Sequence, residues 1–351
     1  MKIGFYNPYL DGFGGGERYT LTLASHWSKN NDVSIFWDDF SIVKKSEDRF
    51  GLDLSRISVV PNIFSGKNAL LKAIKTKEYD LIFFLSDGSI PFSLAKYNIL
   101  HFQVPFSVVA TTKLHMSRMN AIVCNSLFTK NNLDAKLRSK VTVIYPPVDR
   151  ILKTSSTKKS KIILSIGRFT SVHTAKKQAE LIDAFIAIES KLNGWRLVLA
   201  GGLLKSDQEY FDSLQKKIVG HAISLLPNIS HAEILLLYKK ASLYWHAAGF
   251  GENDPQFMEH FGISTVEAMS AGIIPIVYQG GGQVEIVRDN ENGMLWNTLG
   301  ELCDKTLRII EDSALFTRLS SEALNSSHAY GRDVFTIAFD KLLDRICYKT
   351  I

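Results

Sequence analysis

Short apolar runs that do not alternate with polar residues recur along the chain, and stretches of helical periodicity separate them. "KIGFYN" (2–7) and "VSIFW" (33–37) are two such runs; between them "GERYTLTLASHWSK" (16–29) carries Tyr19, Leu23 and Trp27 at helical spacing. Further runs follow at "ISVV", "DLIFFLS", "NILHFQ", "AIVCNS" and "VTVIYPP", and the grammar restarts with "KIILSIGRF" (161–169) and "AKKQAELIDAFIAI" (175–188). "WRLVLAGG", "ISLLPNI", "SLYWHAA" and "IIPIVY" read as further strands, and "AEILLLYKKA", "STVEAMSAG" and "QVEIVRD" as helices. Runs that stay apolar on both faces suit a parallel sheet, and their alternation with helices predicts doubly wound α/β domains.

A polar, basic, Ser/Thr-rich stretch interrupts this pattern. The expected organisation is therefore a Rossmann-like domain at 1–150, a linker at 151–160, a second Rossmann-like domain at 161–330 and a closing helix at 331–351. Phe335, Phe339, Leu342 and Leu343 give that helix its apolar spacing. Two such domains imply a cleft, with ligands outside the carboxyl ends of the strands. The length, 351 residues, fits two domains, and 46% hydrophobic with 22% charged content excludes a disordered chain.

Charge changes the picture in one respect. Residues 1–150 carry 19 Lys/Arg against 13 Asp/Glu, while residues 151–351 carry 22 of each, so the whole net charge of +6 sits in the first half. That half is expected to meet something anionic, such as phospholipid, nucleic acid or a phosphorylated substrate, unless its excess is only a solvated surface. "KNALLKAIKTK" (67–77) sets Leu70, Leu71 and Ile74 among lysines and reads as an interfacial amphipathic helix or an ordinary surface one. Three scattered cysteines without CxxC spacing argue against a disulfide framework or a zinc site. The N-terminus does not read as a signal peptide, and no run approaches ~18 apolar residues, so the expected location is cytoplasmic, with peripheral membrane contact left open.

Three stretches carry candidate chemistry. "DGFGGGER" follows the first strand and opens the first helix, so Gly15 and Gly16 let backbone approach a ligand at a helix N-terminus. Its spacing departs from GxGxxG at Glu17; Asp38, at the end of the second strand, keeps a nicotinamide reading open. After "SIGRF", Arg168 lies past a strand end and Lys176 or Lys177 begins a helix; a guanidinium with an ammonium suits a diphosphate, although a solvated charged face explains either alone. "EHFGISTVEAMSAGIIPIV" is the densest. Ser264 to Glu267 reads as a capping box, with Ser264 the N-cap and Glu267 the third helical residue. Glu259 lies in the loop before "FG" and has no such local role. A glycosidase-like carboxylate pair stays open. HEXXH spacing and Asp-x-Asp are both absent, so no metal site is expected. His101 and His246 lie at strand ends, where a lone histidine is more often structural.

Together these pieces resemble the retaining glycosyltransferases of family 4, which have the GT-B fold. The resemblance runs through "GGGER", "VCNSLFTKNNL", "VIYPPVD", "SIGRF…KKQAELIDAF", "YWHAAGFG", "EHFGISTVEAMSAGIIPIV" and "GGQVEIVRDNENGMLW". It implies that Arg168 and Lys176, with Lys177 a neighbouring alternative, neutralise the diphosphate of a GDP- or UDP-linked sugar donor. Glu259 would contact the transferred sugar and Glu267 the ribose, while the amides of Gly262, Ile263 and Ser264 cradle phosphate. His101 matches a first-domain histidine facing the donor sugar, Gly15 and Gly16 match the glycine loop, and Asn228 and Ile229 fall where the base is held. The family often follows that histidine with an Asp; here "HFQ" stands instead.

The expectation is a metal-independent, retaining glycosyltransferase with no cofactor. It would move a hexose, with mannose favoured, from a nucleotide-sugar donor to a glycan or lipid-linked acceptor in polysaccharide or glycoconjugate synthesis. The donor is expected on the second domain and the acceptor on the first. An anionic membrane surface is a candidate partner; nucleic acid is disfavoured, because aromatic and basic residues do not interleave. The rivals are another enzyme of this double fold, an epimerase or a phosphorylase, and a non-catalytic glycan-binding protein.

Overall fold

The structure, a computed structural model, describes residues 1–65, 69–151, 159–172 and 175–347. The chain divides into two compact units, one formed by Met1–Pro147 with the segment from Arg332, the other by Val148–Gly331.

The first unit alternates β1 (Lys2–Tyr6), α1 (Gly15–Trp27), β2 (Asp32–Phe36), α2 (Ile42–Phe50), β3 (Ile57–Val60), α3 (Ala69–Thr76), β4 (Leu81–Leu85) and β5 (Tyr97–Phe102). Then come α4 (Lys113–Ser117), β6 (Ala121–Cys124), α5 (Leu127–Asn132), α6 (Ala135–Arg138) and β7 (Val141–Val143). The strands form one sheet in the order β3-β2-β1-β4-β5-β6-β7, every pair parallel. Every residue of β4 is buried, as a strand covered by helices on both faces requires.

The second unit runs β8 (Ile162–Ile166), α7 (Gln178–Ile188), β9 (Arg196–Gly201), α8 (Gln208–Lys217), β10 (Ile223–Pro227), α9 (His231–Lys240), β11 (Leu243–His246) and α10 (Ile263–Ser270). It continues with β12 (Ile274–Tyr278), α11 (Gln283–Ile286), β13 (Met294–Trp296), α12 (Leu299–Glu311) and α13 (Ser313–Ser327). Its sheet, order β10-β9-β8-β11-β12-β13, is also wholly parallel. The sequence pattern does not predict β13, α12 or α13. β13 has only three residues. In α12 the buried Leu302, Cys303, Thr306 and Ile309 include a threonine that accepts from Trp245 Nε1 (3.1 Å), so a polar residue stands on the core face.

The chain then returns to the first unit as α14 (Arg332–Cys347). Its Phe335 and Phe339 stand edge-on to Tyr19, with ring centroids 4.8 and 5.8 Å away, and its Asp340 accepts from Trp27 Nε1 at 3.1 Å. Buried aromatic side chains each contribute about 1.5–3 kcal/mol of hydrophobic stabilisation, so α14 is part of that unit's core.

The boundary falls after Pro147 rather than at the expected 150. The Val148 amide donates to Tyr330 O at 2.9 Å and the Ile151 amide to Ser270 Oγ at 3.2 Å, which ties 148–151 to the second unit. Most of the expected linker, residues 152–158, lies outside the described residues, as does Lys67 of the expected amphipathic helix.

Candidate active site

In an open parallel sheet a crevice forms at the carboxyl ends of the two strands where the order reverses. In the second unit those strands are β8 and β11. Arg168 follows β8, His246 ends β11, and the loop from β11 to α10 carries Glu259.

The backbone of Glu259 is held by the glycine triplet after β12. The Gly282 amide donates to Glu259 O at 2.7 Å, and Gly281 turns there with φ +63°. A Cβ on Gly281 would lie 2.2 Å from that same oxygen, so only glycine fits. The Glu259 carboxylate is 16% exposed; its Oε2 accepts from Lys176 Nζ at 2.6 Å and lies 3.1 Å from His246 Nε2. Lys176 reaches it across Gly167, where a Cβ would come 2.5 Å from Lys176 Cγ. Burial alone would push the Glu259 carboxyl up; the Lys176 ammonium, helped by His246, outweighs it and holds the group well below the usual carboxylate range.

His246 is fully buried, and its Nδ1 accepts from the Gln283 side-chain amide at 3.1 Å. Burial lowers its pKa more than the Glu259 carboxylate raises it, with Lys176 lowering it further. The ring is therefore neutral. Gln283, itself fully buried, also packs under Gly262, where a Cβ would lie 2.8 Å from its Nε2.

Gly262, with φ +117°, is the N-cap of α10, and this overturns the expected capping box. Ser264 is the second helical residue and Glu267 the fifth, and no side chain caps the helix. The Ser264 hydroxyl is bonded instead to Tyr244 Oη at 2.8 Å, and Glu267 Oε2 accepts from Tyr238 Oη at 3.0 Å. With Gly262 supplying no side chain, the amides of Ile263 and Ser264 at the positive end of the helix donate to no acceptor among the described residues.

Arg168 is exposed, and its guanidinium makes no hydrogen bond or ion pair among the described residues. α7 begins at Gln178, so Lys177 is its left-handed N-cap (φ +56°) and Lys176 precedes it. Lys177 Nζ donates to Glu252 Oε1 at 2.6 Å. Asn228 is also left-handed (φ +54°); its side chain braces Leu203, accepting from Leu203 N at 2.8 Å and donating to Leu203 O at 3.1 Å. Ile229 is half-buried beside it. Asn228 thus braces the turn that follows β10.

In the first unit, Gly15 and Gly16 are the first two residues of α1. The Glu17 carboxylate already occupies that helix end, accepting from the Gly14 amide at 2.6 Å, which weakens it as an anion site. His101 is not open to a ligand: it is fully buried, stacked on Tyr19 with centroids 4.0 Å apart, and Nε2 donates to Gln103 Oε1 at 3.0 Å. Burial lowers its pKa to about 4, against the bond to Gln103. Asp38, the ribose candidate of the nicotinamide reading, accepts from the Asn62 amide at 2.9 Å.

The structure brings Lys176 and Glu259 together at one strand-end crevice. The sequence pattern misses His246 as a partner of Glu259, and it misses Gln283, Tyr238, Tyr244 and Glu252. Only Gln283 had a signal, its place directly after three glycines in "GGGQVEIV".

Comparison with known proteins extends this geometry. The family model for "Glycosyl transferases group 1" matches residues 149–325. The chain is similar to a Dictyostelium discoideum GDP-Man:Man(3)GlcNAc(2)-PP-Dol alpha-1,2-mannosyltransferase, 27% identical over 57% of this chain and 41% of that protein. It is similar also to the Saccharomyces cerevisiae alpha-1,3/1,6-mannosyltransferase ALG2, 23% identical over 71% of this chain and 58% of that one. The aligned region thus spans roughly half the length of these relatives. Among solved structures, Anabaena HepE in complex with UDP and glucose superposes with a TM-score of 0.74 at 20% identity, covering 98% of this chain and 99% of that one. That likeness shows the fold, two Rossmann-like parallel-sheet domains of the GT-B type. The family match takes in half of the chain, including the site residues of the second unit from Arg168 to Gln283, and so this chain belongs to the group 1 glycosyl transferases.

Proposed function

We propose that the chain is a retaining glycosyltransferase that moves a hexose from a nucleoside-diphosphate sugar to a glycan or lipid-linked acceptor. One arrangement carries the reading: an unpaired Arg168 after β8, a Lys176 bonded to Glu259 at 2.6 Å and an open α10 N-terminus all follow β8 or β11, the two strands that flank the switch point of the sheet. Breaking the anomeric C–O bond puts negative charge on the departing diphosphate, and preorganised cations and amides stabilise that charge as it develops. Arg168 and the Ile263 and Ser264 amides supply it without reorganisation. Lys176 turns from Glu259 to the diphosphate, which leaves the carboxylate to orient sugar hydroxyls. Glu267, steadied by Tyr238, is assigned to the ribose, and Lys177 to the outer phosphate. The leaving phosphate takes the acceptor's proton on the same face, so the reaction needs neither an enzyme base nor a metal.

The names of the Dictyostelium and yeast relatives favour a mannosyl donor, and the Dictyostelium name favours a GDP-linked one. A thermal-shift panel of GDP-mannose, UDP-glucose, UDP-galactose and UDP-N-acetylglucosamine tests this, since a ligand bound to the native state raises its melting temperature. GDP-mannose should give the largest shift and label a lipid-linked or glycan acceptor. No shift with any nucleotide sugar refutes the proposal; product without an acceptor alcohol indicates an epimerase or phosphorylase.

No helix among the described residues is long and apolar enough to cross a membrane. α3 exposes Leu70 (70%), Leu71 (50%) and Ile74 (53%) while burying Ala73 and Thr76, an inverted amphipathic face among lysines. We assign it to an anionic cytoplasmic membrane surface. The protein should sediment with phosphatidylglycerol vesicles at low salt and release as salt rises; failure to sediment removes the assignment.

A further inference from the structure

Lys176 and His246 approach the same oxygen of Glu259, at 2.6 and 3.1 Å. They are not equivalent. Lys176 is aligned for a hydrogen bond, whereas His246 Nε2 is buried and has no aligned partner. Buried polar atoms without partners are rare in folded proteins and costly, so such an atom against a functional carboxylate has a physical cause to be found. A phenylalanine would fill the same space without that cost.

We propose that His246 is a positioning residue for Glu259, with its tautomer set by Gln283, and that it holds the carboxylate once Lys176 turns to the donor diphosphate. The inference rests on the transferase reading above.

The charged groups facing His246 are Glu259 and Lys176; Tyr244 lies tilted at 6.3 Å. A neutral imidazole has one N–H. With the Gln283 amide nitrogen donating to Nδ1, the proton resides on Nε2 and faces Glu259. The opposite tautomer would set a bare Nε2 lone pair 3.1 Å from a carboxylate oxygen, acceptor against acceptor. Gln283 has little freedom to do otherwise, because it is fully buried at the first residue of α11, under Gly262. It therefore touches both the helix end assigned to phosphate and the histidine beside the sugar-orienting glutamate. While Lys176 occupies Oε2, the His246 bond is bent. When Lys176 leaves, the carboxylate can rotate into line with Nε2–H, so the sugar meets a glutamate that is never unheld.

Two measurements test this. In transfer kinetics with GDP-mannose, His246→Phe should lower kcat by up to about 10²-fold, the scale of a misplacement near 1 Å, with KM changed less than about threefold. His246→Gln, whose terminal amide can stand where Nε2–H does, should recover most of the loss. Equal kcat in His246→Phe and the wild type, or no rescue by glutamine, overturns the proposal. Nitrogen NMR of histidine-labelled protein should find His246 as the Nε2–H tautomer from pH 6 to 8, with Nδ1–H appearing in Gln283→Leu. An Nδ1–H or fully protonated ring in the wild type overturns it too. That readout needs no activity: if the wild type transfers no sugar, the transferase reading fails while the tautomer still judges the His246–Gln283 pair.

Discussion

Lys176 and Glu259 make an ion pair whose side chains are 21% and 16% exposed, so its loss should show in stability as well as in activity. Lys176→Met keeps the stem that packs on Gly167 and deletes only the charge. Breaking a buried pair by removing one partner costs about 3–5 kcal/mol, because the other charge stays behind in a poor solvent. Slight exposure and the nearby His246 put this case at the lower end, about 3 kcal/mol. For a unit of this size that lowers Tm by roughly 6–12 °C. Lys176→Met/Glu259→Gln removes both charges and should lie within about 1 kcal/mol of the wild type, which with any cost of Glu259→Gln alone makes the coupling about 2 kcal/mol or more. The pH dependence has a definite sign. In the wild type the Glu259 carboxyl is depressed below 4.5, so its contribution is present above that value and lost as pH falls through the folded pKa. Without Lys176, burial dominates and the carboxyl rises; the variant's deficit is then largest at pH 8 and shrinks toward pH 5 as Glu259 takes up a proton. Urea unfolding of the four proteins at pH 5 and pH 8 measures both effects. A coupling below about 0.5 kcal/mol, or a deficit that grows on acidification, refutes the reasoning.

Arg168→Ala should leave Tm unchanged, since the guanidinium is exposed and unpaired, yet cost about 10²–10³ in kcat, as loss of one charge-stabilising donor does. Gly281→Ala puts a side chain where φ is +63° and Cβ meets Glu259 O at 2.2 Å; transfer should fall by about 10²-fold, with at least about 1–2 kcal/mol lost in unfolding. EDTA should not change the transfer rate, and restoration by added Mg²⁺ or Mn²⁺ after chelation would contradict the mechanism. Buried His101 has its pKa lowered from 6.5 to about 4, so the unfolded chain protonates first and stability is lost as pH falls between those values. His101→Leu should flatten that loss by on the order of 3 kcal/mol in acid unfolding curves.

The strands were legible because a strand covered on both faces has a plain signature; all five residues of "LIFFL" are buried in β4. Arg168 and Lys176 were legible as cations between a strand end and a helix start. The capping box shows where a local rule fails. "STVE" satisfies the pattern, but the helix starts two residues earlier, at a left-handed Gly262 lying over Gln283, a residue of another element. That shift frees Glu267 from the cap, and Tyr238 on α9 takes it. His246 and Gln283 approach Glu259 and Gly262 only through the fold; the three glycines before Gln283 mark its position, but no spacing in the chain announces either contact. His101 lies at the expected strand end, but the "HFQ" that departs from the family pattern supplies Gln103, which binds its ring.

The return of α14 to the first unit has a bearing on the order of events at the ribosome. The second unit is one unbroken stretch, Val148–Gly331, and can close its core as soon as it is synthesised. The first unit cannot: Tyr19, Trp27 and Phe83 wait for Phe335 and Phe339. At about 5–20 residues per second, the synthesis separating Pro147 from α14 takes on the order of 10–40 s. For that interval the earlier-made unit presents an aromatic surface to the cell, which makes it the client of any chaperone the nascent chain recruits.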